Sequence, residues 1–293
     1  MGIIATKLFF KPPAPSGFQY DEFEGFKGKY LENQSSESDK TILFCHDSAT
    51  DLSRIEKLLQ DIKSSFNCHV LGVEYSGFPE DLAINPTEET ILNNVDSAIQ
   101  HLRKNKNVAF EDIILMGHGL GCSAVVDMGL KYDNLSCILF APFMSFSKLY
   151  LNNEKLWNLP GDMFQISSKF SKLKGNVIIV HGKKDEIVPI QHSISLVEQR
   201  PFTPLIALPD ANHNDIFEMQ NIQVLISTIN TIFKTVYKHQ TPLKESKNDD
   251  QDESKDQNQQ DIQQDDQQDI QQDDQQNEGD EQDIQAVDES VQF

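Results

Sequence analysis

Short, uniformly apolar runs alternate with amphipathic stretches along most of the chain. Runs of this kind, separated by helical patterns, are typical of buried strands in a mainly parallel sheet with helices on both faces. The pattern therefore predicts an α/β fold with six buried strands. The runs cover 41–45, 69–75, 112–116, 136–140, 176–181 and 204–208.

The stretches between the runs carry the spacing of surface helices. Residues 52–66 place apolar side chains three and four positions apart, which predicts an amphipathic helix. A second helix is predicted over 87–104, with Pro86 before it and Thr87 as its cap. The last apolar stripe predicts a long final helix over 215–238.

Two regions do not follow this alternation. Residues 143–172 have little periodicity and contain Trp157, Pro160 and Gly161, so they predict an irregular cap over the top of the sheet, where substrate selection would take place. The stretch 18–40 has few residues for a leading antiparallel hairpin, and within it 33–40 are predicted to form a polar loop.

The composition changes abruptly near residue 242. Between 248 and 293 there are seventeen Asp and Glu residues against one Lys, which accounts for 16 of the formal net charge of −21. The octad DIQQDDQQ begins at Asp261 and again at Asp269. Because so polar a segment buries too little apolar surface to offset its ordering entropy, 243–293 is predicted to be a disordered tail. The predicted domains are an anchor-like segment 1–17, an α/β domain 18–242 and this tail.

The composition also argues against several classes of function. No basic patch is available for phosphate contacts, so a nucleic-acid partner is not expected. The four cysteines show no paired spacing of metal ligands, and we predict reduced core thiols, no metal and no cofactor. No run approaches the roughly 20 apolar residues of a membrane span, and no secretory pattern begins the chain, so we expect a cytoplasmic location.

The first residues fit a lipidation signal. Gly2 is followed by Thr6 at the spacing read for N-myristoylation. One myristoyl chain gives only marginal membrane affinity, and Lys7 and Lys11 add a weak second anchor. We therefore expect any membrane contact through acylated Gly2 to be reversible and peripheral, with chance occurrence of a short motif as the alternative.

A strand, a sharp turn and a helix meet at residues 117–121. The run 112–116 leads into Gly-His-Gly-Leu-Gly and then into an apolar helical stretch. This is the context of the nucleophile elbow G-x-S-x-G, whose strained turn lifts the central side chain above the sheet. Gly119 occupies the centre, so the expected nucleophile position is vacant.

An acid and a base follow in the order that α/β-hydrolases use. Asp185 comes shortly after the strand run 176–181, and His213 follows the last run. In such a site the acid orients the imidazole, which takes the proton of the nucleophile. The sequence therefore predicts an orienting acid and a base without a hydroxyl to deprotonate.

Several segments together resemble the family of α/β-hydrolase-domain protein depalmitoylases, cytosolic thioesterases that remove fatty acyl groups from membrane-bound proteins. The resemblance spans roughly residues 3–238. It is carried by the elbow and by the runs ATKLFFKPPAP at 5–15, EYSGF at 74–78, HGKKDE at 181–186 and HNDI at 213–216.

The resemblance implies roles for particular residues. Asp185 and His213 match the triad acid and base, Gly119 takes the place of the nucleophile, and the backbone N–H groups of Leu120 and Ser48 would form the oxyanion hole. The loop after the first parallel strand departs from the family, because Asp47 follows His46 where relatives have glycine. A carboxylate there opposes the charge that an oxyanion hole stabilises. Gly2 would replace the family's N-terminal cysteine cluster as anchor.

These features predict a hydrolase-fold protein that is catalytically impaired and acts by binding an acyl group, a lipid, a peptide or a protein partner. An alternative is an active ester or thioester hydrolase that uses His213 and Asp185 with water or with an atypical nucleophile. Cys122 and Ser123, one turn into the next helix, are the nearest such candidates. A third hypothesis makes the acidic tail the functional element. For His46, His118 and His181 we expect structural hydrogen bonding.

Overall fold

Eight strands form one sheet in the part of the chain that the computed structural model describes, which is residues 10, 12–34, 40–79, 84–133, 135–151, 161–218, 225–227 and 229. The order across the sheet is β1-β2-β4-β3-β5-β6-β7-β8. The first two strands run antiparallel to their neighbours, and all pairs from β4 to β8 are parallel. The strands are β1 (Asp21–Phe23), β2 (Phe26–Leu31), β3 (Thr41–Cys45), β4 (His69–Glu74), β5 (Ile113–His118), β6 (Ser136–Phe140), β7 (Val177–Gly182) and β8 (Leu205–Leu208).

Helices cover both faces of the sheet, which is why its central strands read as continuous apolar runs. Along β5, Leu115 packs on one face while Ile114 and Met116 pack on the other. The helix α1 and the buried residues Leu225 and Ile229 cover the second face, and α2, α3 and α5 cover the first. The helices are α1 (Leu52–Phe66), α2 (Glu88–Lys104), α3 (Gly121–Lys131), α4 (Phe146–Tyr150) and α5 (Gln191–Gln199). This arrangement confirms the predicted fold class.

The first two predicted helices have the caps that their sequences specify. The Asp51 carboxylate accepts a hydrogen bond from the Arg54 amide at 3.0 Å at the start of α1. The Thr87 hydroxyl accepts from the Thr90 amide at 3.1 Å, and the Thr90 hydroxyl accepts from the Thr87 amide at 2.9 Å. This reciprocal pair is a capping box, and it begins α2 at the predicted place.

The six predicted strands are present as β3 to β8, but the sheet also contains a leading hairpin, for which 18–40 was predicted to be short. Strands β1 and β2 pair around the two-residue turn Glu24-Gly25, with Phe23 opposite Phe26. Gly25 has a φ of 84°, a conformation that glycine adopts without steric cost. The strands were missed because β1 is only three residues long and neither strand is uniformly buried.

The final helix does not begin at residue 215 as predicted. Asp215–Phe217 is a 3₁₀ turn, and Glu218 leaves it in an extended conformation. The break was missed because the 3₁₀ turn contains the first residues of the apolar stripe, so the spacing of apolar residues gives no sign of where the turn ends. In the predicted cap region, α4 and a 3₁₀ turn at Phe170–Lys172 are ordered elements. Trp157, Pro160, Gly2 and the tail from residue 243 lie outside the described residues.

The described part of the chain has no helix with the length and apolar character needed to cross a bilayer. All four cysteines are buried and unpaired. The carboxyl ends of β3, β5, β7 and β8 lie at one edge of the sheet, since these strands are parallel. In open α/β sheets this edge is where ligands bind.

Candidate active site

The turn between β5 and α3 is a sharp strand-to-helix elbow with a glycine at its tip. Gly119 has a φ of 50°, in the left-handed region that costs a residue with a side chain about 1–3 kcal/mol. The Gly119 amide donates to the Phe140 carbonyl at 3.0 Å, and the Cys122 amide donates to the Gly119 carbonyl at 3.1 Å. The backbone therefore has the geometry of a nucleophile elbow although no side chain projects from it.

The predicted acid and base are hydrogen-bonded to each other. His213 Nδ1 lies 2.7 Å from Asp185 Oδ2. The other Asp185 oxygen accepts from the amides of Ile187 and Val188 at 2.9 and 2.8 Å, which fixes the carboxylate in its turn. The structure thus brings Asp185 and His213 together at the end of the sheet where the elbow lies.

The carboxylate of Asp47 fills the space above Gly119. Its Oδ1 accepts a hydrogen bond from the Leu120 amide at 2.9 Å. A Cβ built on Gly119 would collide with this oxygen and would lie 2.6 Å from Asp47 Cγ. The Asp47 side chain therefore occupies the place of a nucleophile side chain, and it takes the backbone N–H that was predicted to bind an oxyanion.

The second Asp47 oxygen faces the base. Asp47 Oδ2 lies 3.8 Å from His213 Nε2, an ion-pair distance longer than a hydrogen bond. Nε2 is buried and has no hydrogen-bond partner among the described residues. His213 consequently lies between two carboxylates, with Asp185 on one ring nitrogen and Asp47 near the other.

The charges of this cluster reinforce one another. Burial opposes ionisation of Asp47 and Asp185. Interactions with His213, His118 and the Leu120 amide nevertheless hold the pKa of the Asp47 carboxyl below its usual range, and interactions with His181, His213 and the Val188 amide do the same for Asp185. Burial alone would lower the pKa of His213, but the two carboxylates raise it to about 9. At neutral pH His213 is therefore an imidazolium, which can give a proton but cannot accept one.

Three further histidines, His46, His118 and His181, make structural hydrogen bonds, as predicted. His118 Nε2 donates to the His213 carbonyl at 3.0 Å, and burial together with the charge of His213 lowers the pKa of His118 to about 4. His181 lies between the Ser193 hydroxyl and the Val188 carbonyl, at 2.6 and 2.7 Å.

His46 and Glu74 fix the loop that carries Asp47, and sequence reasoning predicted the hydrogen bonding of His46 but missed its partner Glu74. His46 Nε2 lies 2.9 Å from Glu74 Oε1, and Nδ1 lies 2.8 Å from the Asp47 carbonyl. Glu74 Oε2 accepts from the Leu52 amide at 3.0 Å, and the Tyr75 hydroxyl donates to the His46 carbonyl at 2.9 Å. The signal in the sequence was a glutamate directly after the apolar run 70–73 of β4.

Of the remaining predicted site residues, Cys122 and Ser123 are buried and Ser48 lies in the loop beside Asp47. Cys122 is buried, its thiol donates to the carbonyls of Gly117 and Phe140 at 3.2 Å each, and burial raises its pKa well above the usual value. Ser123 is also buried, inside α3. Neither is presented to the site as an attacking atom. Ser48 lies in the turn after Asp47, and its role as an oxyanion donor stays a prediction.

A cavity of about 430 Å³ adjoins the cluster. Asp47 and His118 lie in its wall, together with the apolar side chains of Phe44, Ile55 and Phe217. This volume is within the range of small-molecule sites. A compound in the cavity would contact the Asp47 side chain, which is part of its wall.

Comparison with known proteins agrees with this fold. The human alpha/beta hydrolase domain-containing protein 17B is 30% identical over 179 residues, which cover 60% of this chain and 61% of that protein. The mouse protein 17C is 31% identical over 179 residues, covering 60% of this chain and 55% of its own length. The chain therefore matches about three fifths of the length of these relatives. No protein-family model matches it.

Solved structures show the same fold at lower identity. An esterase from Pyrococcus furiosus superposes with a TM-score of 0.57 at 14% identity, covering 78% of this chain and 98% of its own. Mouse alpha/beta hydrolase domain-containing protein 10 superposes with a TM-score of 0.53 at 18% identity, covering 74% and 98%. These superpositions show that the chain has the α/β-hydrolase fold, and in sequence it is similar to proteins 17B and 17C over about three fifths of its length.

Proposed function

We propose that this chain does not act as a serine hydrolase and works instead by binding a ligand or a protein partner at the edge of the sheet where Asp47, Gly119 and His213 meet. The observation that carries the proposal is the Asp47 carboxylate, which lies above Gly119 and accepts the Leu120 N–H. An attacking hydroxyl, a free oxyanion donor and a neutral base are all needed for acyl transfer. Asp47 and Gly119 together remove each of them.

The alternative is an active ester or thioester hydrolase of the depalmitoylase type, using His213 and Asp185 with water. The 2.7 Å hydrogen bond between these two residues favours it, since the base is correctly oriented. The charge on His213 and the occupied Leu120 N–H oppose it. Without its nucleophile a triad enzyme keeps only about 10³ to 10⁴-fold catalysis over water, most of it from the oxyanion hole and substrate binding.

A thioester assay separates the two functions, and a fluorophosphonate probe tests whether any activated hydroxyl is present. We expect the full-length native protein to remain unlabelled and to leave a palmitoyl thioester peptide uncleaved, because no activated hydroxyl is present. Gel fluorescence after labelling and release of free thiol are the measurements. Labelling of the native protein that heat denaturation abolishes, or thioester cleavage lost in His213→Ala, would rule the proposal out.

A second proposal concerns membrane contact. Gly2 lies outside the described residues, so its support is the motif at the start of the chain. We expect an alkynyl myristate analogue fed to cells to label the native protein and to leave Gly2→Ala unlabelled. Equal labelling of both would show that the motif does not direct acylation, and absence of label in both would remove the proposed anchor.

A further inference from the structure

A neutral histidine contributes an unused hydrogen-bond acceptor to the wall of the cavity of about 430 Å³. His118 is only 8% exposed, and its Nε2 donates to the His213 carbonyl at 3.0 Å. Because the pKa of His118 is lowered to about 4, its ring is neutral at neutral pH and Nδ1 keeps an electron pair. Nδ1 accepts no hydrogen bond from the described residues. A buried acceptor normally has a donor as its partner.

The Asp47 side chain lies in the same wall and has one oxygen available. Oδ1 accepts from the Leu120 amide at 2.9 Å. Oδ2 lies 3.8 Å from His213 Nε2, which is longer than a hydrogen bond, so a ligand that donates to Oδ2 displaces no hydrogen bond. Two carboxylates, Asp47 and Asp185, face the one imidazolium of His213, so this cluster has an excess of one negative charge.

The arginine and the lysine in the wall already have carboxylate partners. Arg54 binds Asp51 at the start of α1. Lys57 Nζ lies 2.6 Å from Asp61, and its side chain is 80% exposed, which places this pair at the open side of the cavity. Among the described wall residues, an anionic ligand would therefore meet no arginine or lysine that lacks a carboxylate. A cationic ligand would meet a carboxylate and a neutral acceptor.

We propose that this cavity binds a primary ammonium group on a hydrocarbon chain, with the ammonium donating to Asp47 and to His118 Nδ1. The inference names the ligand class, and it rests on the proposed function, in which the chain binds a ligand where Asp47 lies. A primary ammonium has three N–H donors. Thr50 and Asn214 lie in the same wall and offer side-chain oxygens to the third donor.

The apolar part of the wall accommodates the hydrocarbon chain. Phe44, Ile55, Leu58 and Phe217 line the cavity beside the polar residues. Each methylene group that leaves water on binding strengthens the affinity about fourfold. The dissociation constant should therefore fall from n-butylammonium through n-hexylammonium to n-octylammonium.

Four ligands with the same eight-carbon chain test the proposal on the full-length native protein. Isothermal titration calorimetry at pH 7 compares n-octylammonium with 1-octanol, octanoate and octyltrimethylammonium. We expect n-octylammonium to bind at least about tenfold more tightly than each of the others, because it alone combines a positive charge with N–H donors. Equal or tighter binding of any of the other three, or no saturable binding of n-octylammonium, would overturn the inference.

Two variants show whether the Asp47 charge is responsible. Asp47→Asn keeps the shape of the side chain and removes its charge, so it should weaken n-octylammonium at least about tenfold and change 1-octanol by less than about twofold. Asp133→Asn changes the net charge equally at a carboxylate that pairs with Lys174 and lies outside the cavity wall, and it should leave both affinities unchanged. Equal affinity of Asp47→Asn and native protein for n-octylammonium would contradict the inference.

A direct readout exists for the histidine. The ¹⁵N resonance of His118 Nδ1 should shift when n-octylammonium is added, because this nitrogen then accepts a hydrogen bond, and octanoate should leave it in place. Binding without this shift would show that the ammonium lies elsewhere and would also overturn the inference. Thioester cleavage by the native protein would instead overturn the proposed function, so the two failures are distinguishable.

Discussion

The double variant Asp47→Gly/Gly119→Ser is expected to hydrolyse thioesters, whereas Gly119→Ser alone is not. A serine at 119 supplies the hydroxyl, but its Cβ collides with the Asp47 carboxylate. If that carboxylate rotates aside, it loses the Leu120 N–H and stays near His213 as a competing negative charge. Removing it frees the N–H, clears the space and lets the imidazole become neutral.

The expected gain in rate follows from the two catalytic groups that the double variant restores, the nucleophile and the oxyanion donor. Loss of one oxyanion donor alone costs about 10² to 10³-fold in rate, and loss of the nucleophile costs more. We therefore expect the double variant to exceed Gly119→Ser by at least about 10²-fold in kcat/KM for a palmitoyl thioester. The Asp47→Gly single variant and the double variant carrying His213→Ala are the matched controls. Equal activity of Gly119→Ser and the double variant would show that Asp47 does not block the site.

The variant Asp47→Asn is expected to lower the pKa of His213 from about 9 by roughly 1 to 3 pH units. Asparagine keeps the shape of the side chain and can still accept the Leu120 N–H, but it removes one of the two negative charges beside the imidazole. A ¹H–¹³C NMR titration of the His213 ring measures the change. Asp61→Asn is the control, and it should leave the pKa of His213 unchanged. An unchanged pKa in Asp47→Asn would show that this carboxylate does not act on the imidazole.

The same pKa directions set the pH range in which the cluster stabilises the fold. His213 has a pKa raised above the ordinary 6.5, so its contribution is complete below that value and is lost as the pH rises toward 9. Asp47 and Asp185 have pKa values below the ordinary 3.8, so their contribution is lost as the pH falls below that value. In urea titrations the free energy of unfolding of the native protein should fall between pH 6.5 and 9. In Asp47→Asn the pKa of His213 is closer to 6.5, so this fall should be smaller and should end at a lower pH.

Much of the site could be predicted because each part has a local signal. The elbow is a strand, a glycine-rich turn and a helix in direct succession. Asp185 and His213 each follow an apolar strand run, and parallel strands bring their carboxyl ends to one edge. The same local logic predicted α1 and its bounds, since an amphipathic stripe and its cap are both written in neighbouring residues.

The position of the Asp47 side chain could not be predicted in this way. Its loop and the elbow are far apart in the chain, and they meet because β3 and β5 are neighbours in the sheet, with Cys45 opposite Gly117. The sequence showed two separate departures, a missing side chain at 119 and an added carboxylate at 47. Only the fold shows that the second fills the space left by the first.

The hairpin and the start of the final helix were predicted wrongly because contacts between residues distant in the sequence decide their conformation. The hairpin β1–β2 gains its stability from pairing with β4, as in the contact of Leu31 with Val70, and this partner lies outside any local window. The 3₁₀ turn at Asp215–Phe217 is held where Phe217 packs on Phe44 and Phe140. In both places a distant contact decides the local conformation.

The fit between the Asp47 carboxylate and the bare backbone of Gly119 also constrains the history that is open to this chain. A mutation that introduces serine at 119 alone meets a steric collision, and one that removes the carboxylate alone leaves an elbow with no hydroxyl to activate. Each single step toward a serine hydrolase therefore brings no activity that selection could retain. A route from this chain to a serine enzyme requires both changes together.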